Sequence, residues 1–342
     1  MTWDGLLNGV RARKPAALAR VISMVENQRP GFEQVLSAIH AELGRAHRVG
    51  ITGPPGAGKS TLVERLVGGY RAKGLTVAVV AVDPTSPFTG GALLGDRIRM
   101  EAVTLDEGVF IRSMATRGSL GGLATATREV CDVLDAAGFD RILVETVGVG
   151  QSELAVSGMA DTSVLVLVPE SGDGIQALKS GIMEIADLFV VNKADRPGAD
   201  RLRQEIEVML GIRQGHAFRH IPAHHGGLTP PDASPAPDTG GWRPPVLGVV
   251  ATKGEGIDSL LEGIDAHYRS IEATGNLMDR RRFRASGRAR EVLERATRQW
   301  LWTETGAERV LEERLDDIVA GRVSPYDLAE EVIQSLKQGT RL

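Results

Sequence analysis

The sequence has almost no cysteine. A single thiol, Cys131, in 342 residues excludes an intramolecular disulfide framework and any multi-cysteine metal site, and it fits a reducing compartment. Long apolar runs are missing too. Stretches such as Thr162–Pro169 fall far below the ~20 residues that a membrane span needs. There is no excess of one charge: the formal net charge is −4, with 25% charged and 42% hydrophobic residues. Bulk attraction to nucleic acid or to an anionic membrane is therefore not expected. The opening residues, Met1 to Gly5, lack the basic and then apolar pattern of a signal peptide, so a cytoplasmic location is expected.

What is present is a change of rhythm at Arg48. Before it, Leu6, Leu7 and Val10, then Leu18, Val21, Ile22 and Val25, recur at spacings of three and four. Leu36, Ile39 and Leu43 do the same, and 1–46 reads as an N-terminal helical extension. After it, short β-branched runs at 49–52, 76–82, 109–112, 141–145, 163–168, 188–191 and 246–250 alternate with helical stretches. The latter lie at 59–73, 121–137, 198–211 and 257–273. Continuous apolar strands between helices predict an α/β fold with a buried, mostly parallel central sheet, over 47–273. Residues 213–245 carry seven prolines and read as a surface insertion. From 274 to 342 the chain returns to helix, with Ser324 and Pro325 as cap and first residue of its last helix.

The segment Gly53, Pro54, Pro55, Gly56, Ala57, Gly58, Lys59, Ser60 matches G-x-x-x-x-G-K-[ST] between a strand and a helix. Glycines let main-chain N–H groups curl around a β-phosphate, and the helix N-terminus adds positive potential. Lys59 is expected to reach the β- and γ-phosphates and the Ser60 hydroxyl to ligate Mg²⁺; Thr61 completes the nucleotide set. Downstream, Asn192, Lys193, Ala194 and Asp195 form N-K-x-D after an apolar strand. A carboxylate at Asp195 accepts hydrogen bonds from guanine N1–H and N2–H₂, which adenine does not offer. Asn192 ties the base loop to the phosphate loop, the Lys193 stem covers the ring, and backbone at Val250, Ala251 and Thr252 meets guanine O6. The expected ligands are GTP and GDP.

Strand-end acids facing the phosphate loop are the metal-side candidates: Asp83 and Glu145, with Asp96 in the segment where a first switch belongs. Gly148 N–H is placed to sense a γ-phosphate. Gln151, three residues on, is the candidate for orienting water, while Arg97, Arg99 and Arg117 stand as alternative cis or trans fingers. Slow intrinsic hydrolysis with partner activation is the expectation.

With these residues in place, the chain resembles the MeaB/ArgK family of SIMIBI-class P-loop GTPases. The carrying segments are 47–61, 82–87, 89–100, 120–122, 144–153 and 181–187. The resemblance implies a SIMIBI-type GTPase core and a C-terminal helical arm over 274–342 through which two chains form a homodimer. A further switch near 170–180 would be read by the client. It also implies a role as chaperone of an adenosylcobalamin-dependent acyl-CoA mutase of methylmalonyl-CoA type. GTP hydrolysis would time cofactor loading and the removal of damaged cofactor, and the adenosylcobalamin belongs to the mutase. Within the family pattern, Asp83-Pro84-Thr85-Ser86 replaces the usual Asp-Pro-Ser-Ser, and Asp96-Arg97 the usual Asp-Lys. The rival reading is a nickel or other metallochaperone GTPase, prompted by His216, His220, His224 and His225 within ten residues.

Overall fold

The computed structural model describes residues 3–83, 105–115, 120–146, 158–169, 186–213 and 241–337. Three helices open the chain: α1 (Trp3–Arg11), α2 (Pro15–Glu26) and α3 (Phe32–Ile39). The alternating part then runs β1 (His47–Thr52), α4 (Lys59–Ala72), β2 (Val77–Asp83), β3 (Val109–Ala115), α5 (Leu120–Ala136), β4 (Arg141–Thr146), β5 (Thr162–Leu167), β6 (Leu188–Asn192), α6 (Ala199–Arg213), β7 (Val246–Val249) and α7 (Ile257–Ala273). Three more helices follow: α8 (Asn276–Glu304), α9 (Ala307–Val319) and α10 (Pro325–Lys337).

The seven strands form one parallel sheet in the order β3-β2-β4-β1-β5-β6-β7. Strand order reverses at β1, which lies between β4 and β5, so the crevice beyond the carboxyl end of β1 is the natural ligand site of such a sheet. Both faces are covered, which explains why the strands read as unbroken apolar runs rather than alternating ones. Side chains still alternate by face. Ala78, Val80 and Val82 of β2 belong to the core shared with α1, α2, α3 and α5, whereas Val77 and Val79 belong to the core shared with α4 and α7. A third cluster packs α6 against Phe189 and Val191 of β6.

The opening helices are part of this architecture. Leu18, Val21, Ile22 and Val25 of α2 are fully or almost fully buried in one cluster with Val130, Val133 and Leu134 of α5. Asp135 of α5 then fixes the turn into β1. Its carboxylate accepts the N–H groups of Gly44, Arg45 and Ala46 at 2.9–3.0 Å and pairs with Arg48 at 2.9 Å. A buried carboxylate with this many donors holds its loop in one geometry.

Contacts within the chain divide it into two compact units, residues 1–277 and 278–342. In the second unit, Ser324 and Asp327 form a reciprocal cap. The Asp327 N–H donates to Ser324 Oγ at 3.1 Å, and the Ser324 hydroxyl donates to the Asp327 carboxylate at 2.7 Å. Trp300 and Trp302 of α8 are 44% and 43% exposed in the single chain. Among the described residues no helix is long and apolar enough to cross a membrane.

Candidate functional site

The carboxyl ends of β1, β4, β6 and β7 bring the sequence motifs to one edge of the sheet. After Thr52 the chain enters the phosphate loop, whose glycines take left-handed or otherwise unusual backbone angles: Gly53 at φ +141°, Gly56 at +74° and Gly58 at +84°. Two of these positions also lack room for a side chain. A Cβ on Gly53 would lie 2.0 Å from the Val166 carbonyl oxygen, and one on Gly58 would lie 2.4 Å from Asn192 Nδ2. Gly53 and Gly58 are thus demanded twice, by dihedral angle and by neighbours, and Gly56 by dihedral angle alone.

Lys59 opens α4 and is buried. Its ammonium donates to the Gly53 and Pro54 carbonyls at 2.8 and 3.0 Å, so it lies inside the curl of the loop. Ser60 is next, and its hydroxyl donates to Glu145 Oε1 at 2.7 Å. Glu145 stands at the end of β4, in register with Ile51 of β1, and is 6% exposed. One residue further, the Thr146 hydroxyl donates to Thr52 Oγ1 at 3.0 Å and ties the two strand ends together. A hydroxyl and a buried carboxylate side by side form the hard-oxygen donor pair that suits Mg²⁺.

The base-reading elements meet the phosphate loop through Asn192. Its Nδ2 donates to the Ala57 carbonyl at 2.7 Å, while its Oδ1 accepts the N–H groups of Lys193 at 2.8 Å and Ala251 at 3.2 Å. One amide therefore fastens three loops. Lys193 has φ +57°, an angle that non-glycine residues rarely adopt and that marks a constrained turn. Asp195 pairs with Lys253 at 2.9 Å, and the hydrogen bond from that ammonium holds the carboxyl below the ordinary aspartate range. A cleft of about 250 Å³ opens beside this pair, with Asp195, Val250 and Glu255 among its walls.

The predicted O6 segment needs one adjustment. The strand ends at Val249, and Val250 instead forms an isolated antiparallel bridge with Glu255, its N–H donating to the Glu255 carbonyl at 3.0 Å. That bond uses the Val250 donor, and Asn192 Oδ1 already accepts the Ala251 N–H, so of the three expected residues Thr252 keeps an N–H for a base contact. Arg65, which no motif pointed to, donates from Nε to the Ala251 carbonyl at 3.0 Å and from Nη2 to the Thr252 carbonyl at 2.8 Å. Asp83 ends β2 at the same sheet edge. Its side chain, together with Asp96, Gly148, Gln151, Arg97, Arg99, Arg117 and the four clustered histidines, lies outside the described residues. Among the described residues no group of three or more His, Cys, Asp or Glu side chains is arranged to hold a metal ion.

This geometry is accompanied by consistent similarity to known proteins. Residues 18–305 match the family model for the methylmalonyl-CoA mutase-associated GTPase MeaB. The chain is 47% identical over 290 residues to a putative GTPase of Pyrococcus horikoshii, covering 85% of each protein. It is 35% identical over 296 residues to the mitochondrial methylmalonic aciduria type A homologue of Mus musculus, covering 82% of this chain and 65% of that one. Among solved structures, a protein titled LAO/AO transport system kinase aligns with a TM-score of 0.67 and 27% identity, over 98% of this chain and 99% of its own. Phosphate loop, strand-end carboxylate and N-K-x-D loop, converging on one sheet edge, agree with the family match over 18–305: the chain is a P-loop GTPase with the SIMIBI fold and belongs to the MeaB family of methylmalonyl-CoA mutase-associated GTPases.

Proposed function

We propose that this GTPase is a chaperone of an adenosylcobalamin-dependent acyl-CoA mutase of methylmalonyl-CoA type, and that it uses hydrolysis of GTP to time cofactor loading and removal of damaged cofactor. The observation that carries the site chemistry is the 2.7 Å hydrogen bond between Ser60 and Glu145. It supports the reading because the phosphate-loop hydroxyl and the carboxylate of β4 lie close enough to serve one cation. Ser60 and Glu145, with Asp83 and Asp96 as further carboxylates, would hold Mg²⁺, which supplies neutralisation of phosphate charge when bound. Lys59 moves its ammonium from the Gly53 and Pro54 carbonyls to the β- and γ-phosphates. Gly53, Pro54, Pro55, Gly56, Ala57, Gly58 and Thr61 shape the backbone cradle around them. Gly148 senses the γ-phosphate and Gln151 orients the attacking water. Asp195 accepts from guanine N1–H and N2–H₂, and Lys193 covers the ring.

The mutase as client is supported by the family description and by the mouse relative's name. The homodimer is supported by the apolar side chains that α8–α10 leave exposed, among them Phe283, Val319 and Tyr326. Phosphate release from GTP, with and without candidate acyl-CoA mutases and their cofactor, tests the proposal. Nucleotide-dependent copurification and faster release with one mutase are expected, both lost in Lys59→Ala. A rate indifferent to every cobalamin-dependent mutase, with stoichiometric Ni²⁺ retained through dialysis, would instead establish the metallochaperone reading.

A further inference from the structure

The turn that follows β7 is short, and its strand support is slight. Val250 N–H to Glu255 O closes it at 3.0 Å, Lys253 N–H to Val250 O at 3.0 Å and Gly254 N–H to Ala251 O at 3.3 Å fold it inward. Its outer carbonyls, those of Ala251 and Thr252, receive the guanidinium fork of Arg65. Arg65 lies six residues after Lys59 on α4, so the helix that carries the phosphate ligands at its start reaches the base-reading turn about 9 Å along its axis. Within a trans peptide the C=O and the following N–H point in opposite directions. Holding the Ala251 carbonyl towards α4 therefore fixes the Thr252 N–H away from it. The Ala251 N–H is oriented separately, by Asn192 Oδ1 at 3.2 Å.

We propose that Arg65 is a positioning residue for purine discrimination: its fork aims the Ala251–Thr252 peptide at guanine O6 while itself touching no nucleotide. This rests on the guanine reading of the site and adds to it a division of labour. Asp195 reads the N1 and N2 edge, and Arg65, acting through the turn, governs O6. The planar guanidinium suits the task because two carbonyls from consecutive residues are gripped at once; an ammonium offers a point charge without that fork.

The test measures affinities of the full chain for four ligands with Mg²⁺: GDP, IDP (no 2-amino group), 2-aminopurine riboside diphosphate (no O6 and no N1–H, the latter loss being common to parent and variant) and pyrophosphate. In Arg65→Met the preference for GDP over the 2-aminopurine analogue is expected to fall by roughly three- to tenfold, the scale of one weakened hydrogen bond. The GDP-to-IDP ratio and the pyrophosphate affinity should stay within twofold of the parent, and Arg65→Lys should fall between parent and Met variant. An unchanged GDP-to-2-aminopurine ratio would overturn the inference. So would an equal loss for all four ligands, which marks a general structural role. Should Arg65→Met not fold, Arg65→Lys and Arg65→Gln carry the same comparison. If the parent itself binds ADP as tightly as GDP, the guanine reading fails and this inference with it; an unaltered ratio in the variants sinks the inference alone.

Discussion

Asp195 is half-exposed, and its pairing with Lys253 is a surface contact of small weight for folding. Its importance is chemical. The ammonium keeps the side chain ionised, and only the ionised form accepts two donors from guanine. Asp195→Asn replaces one acceptor oxygen by an N–H₂ donor, which faces the N2–H₂ of guanine unfavourably and the O2 of xanthine favourably. Calorimetry should show GDP affinity falling by roughly 100-fold, one charged hydrogen bond being lost and the other left to a neutral acceptor, and xanthosine diphosphate becoming the preferred ligand. Unaltered GDP affinity would remove Asp195 from the site.

A different residue contributes to stability at acid pH. His47 is buried at the start of β1, stacks on Tyr268 and bonds through Nε2 to Thr162 Oγ1 at 2.8 Å; the same oxygen lies 2.8 Å from His267 Nδ1. A hydroxyl has one proton to donate, so one imidazole must donate to it. Asp187 Oδ1, 3.2 Å from His267 Nε2, favours the proton there; the spacing is short but too poorly aligned for a hydrogen bond, and the attraction is electrostatic. His267 Nδ1 is then the acceptor and His47 the donor. Burial pushes His47 down to about 3, against partial opposition from Asp161. The unfolded chain protonates this residue near pH 6.5 and the folded chain does not, so its contribution is complete above about 6.5 and declines as pH falls towards 3. The slope is up to about 1.4 kcal/mol per pH unit. In His47→Gln, which keeps an N–H donor but does not titrate, urea unfolding between pH 6.5 and 4.5 should lose roughly 1–2 kcal/mol less than the parent. Parallel curves would contradict the assignment.

At the scale of elements, the sheet and its flanking helices were legible because a parallel strand buried on both faces leaves a distinctive trace. Val77–Val82 and Val164–Val168 cannot be surface segments. The phosphate and base loops were legible because their function is local in sequence. Contacts spanning long separations left no trace. Arg65 looks like any exposed helix residue, and His47, Thr162 and His267 are over 100 positions apart in pairs. The opening helices announced an apolar face without saying what it packs on. The loop geometry itself yields a graded expectation. Gly56 and Gly58 share positive φ, yet a Cβ on Gly56 meets nothing within 4 Å while one on Gly58 runs into Asn192. Gly56→Ala should cost the unliganded protein about 1 kcal/mol by urea midpoint, and Gly58→Ala roughly 2–3, because the amide that joins three loops must also shift. Equal costs would mean that Asn192 yields freely.

For the molecule as a whole, the exposed apolar side chains concentrate in residues 278–342. Phe283, Val319 and Tyr326 are 81%, 81% and 86% exposed, and Leu293 is 65% exposed. Solvated aromatic and aliphatic groups at this density mark an association surface. Light scattering should give twice the monomer mass for the full chain at micromolar concentration, and one mass for a chain ending at Leu277 that still binds GDP. A full chain that stays monomeric would contradict the homodimer.

Because α2 and α5 share one core, synthesis imposes a wait. The ribosome releases α1, α2 and α3 well before α5, whose last residue is Ala136, and before the strands they cover. At typical elongation rates of 5–20 residues per second, roughly 5–20 seconds separate the two. Throughout that interval Leu18, Val21, Ile22 and Val25 have α1 and α3 to lie against but lack Val130, Val133 and Leu134 of α5. An apolar face that is made before its partner stays open to aggregation for as long as the wait lasts.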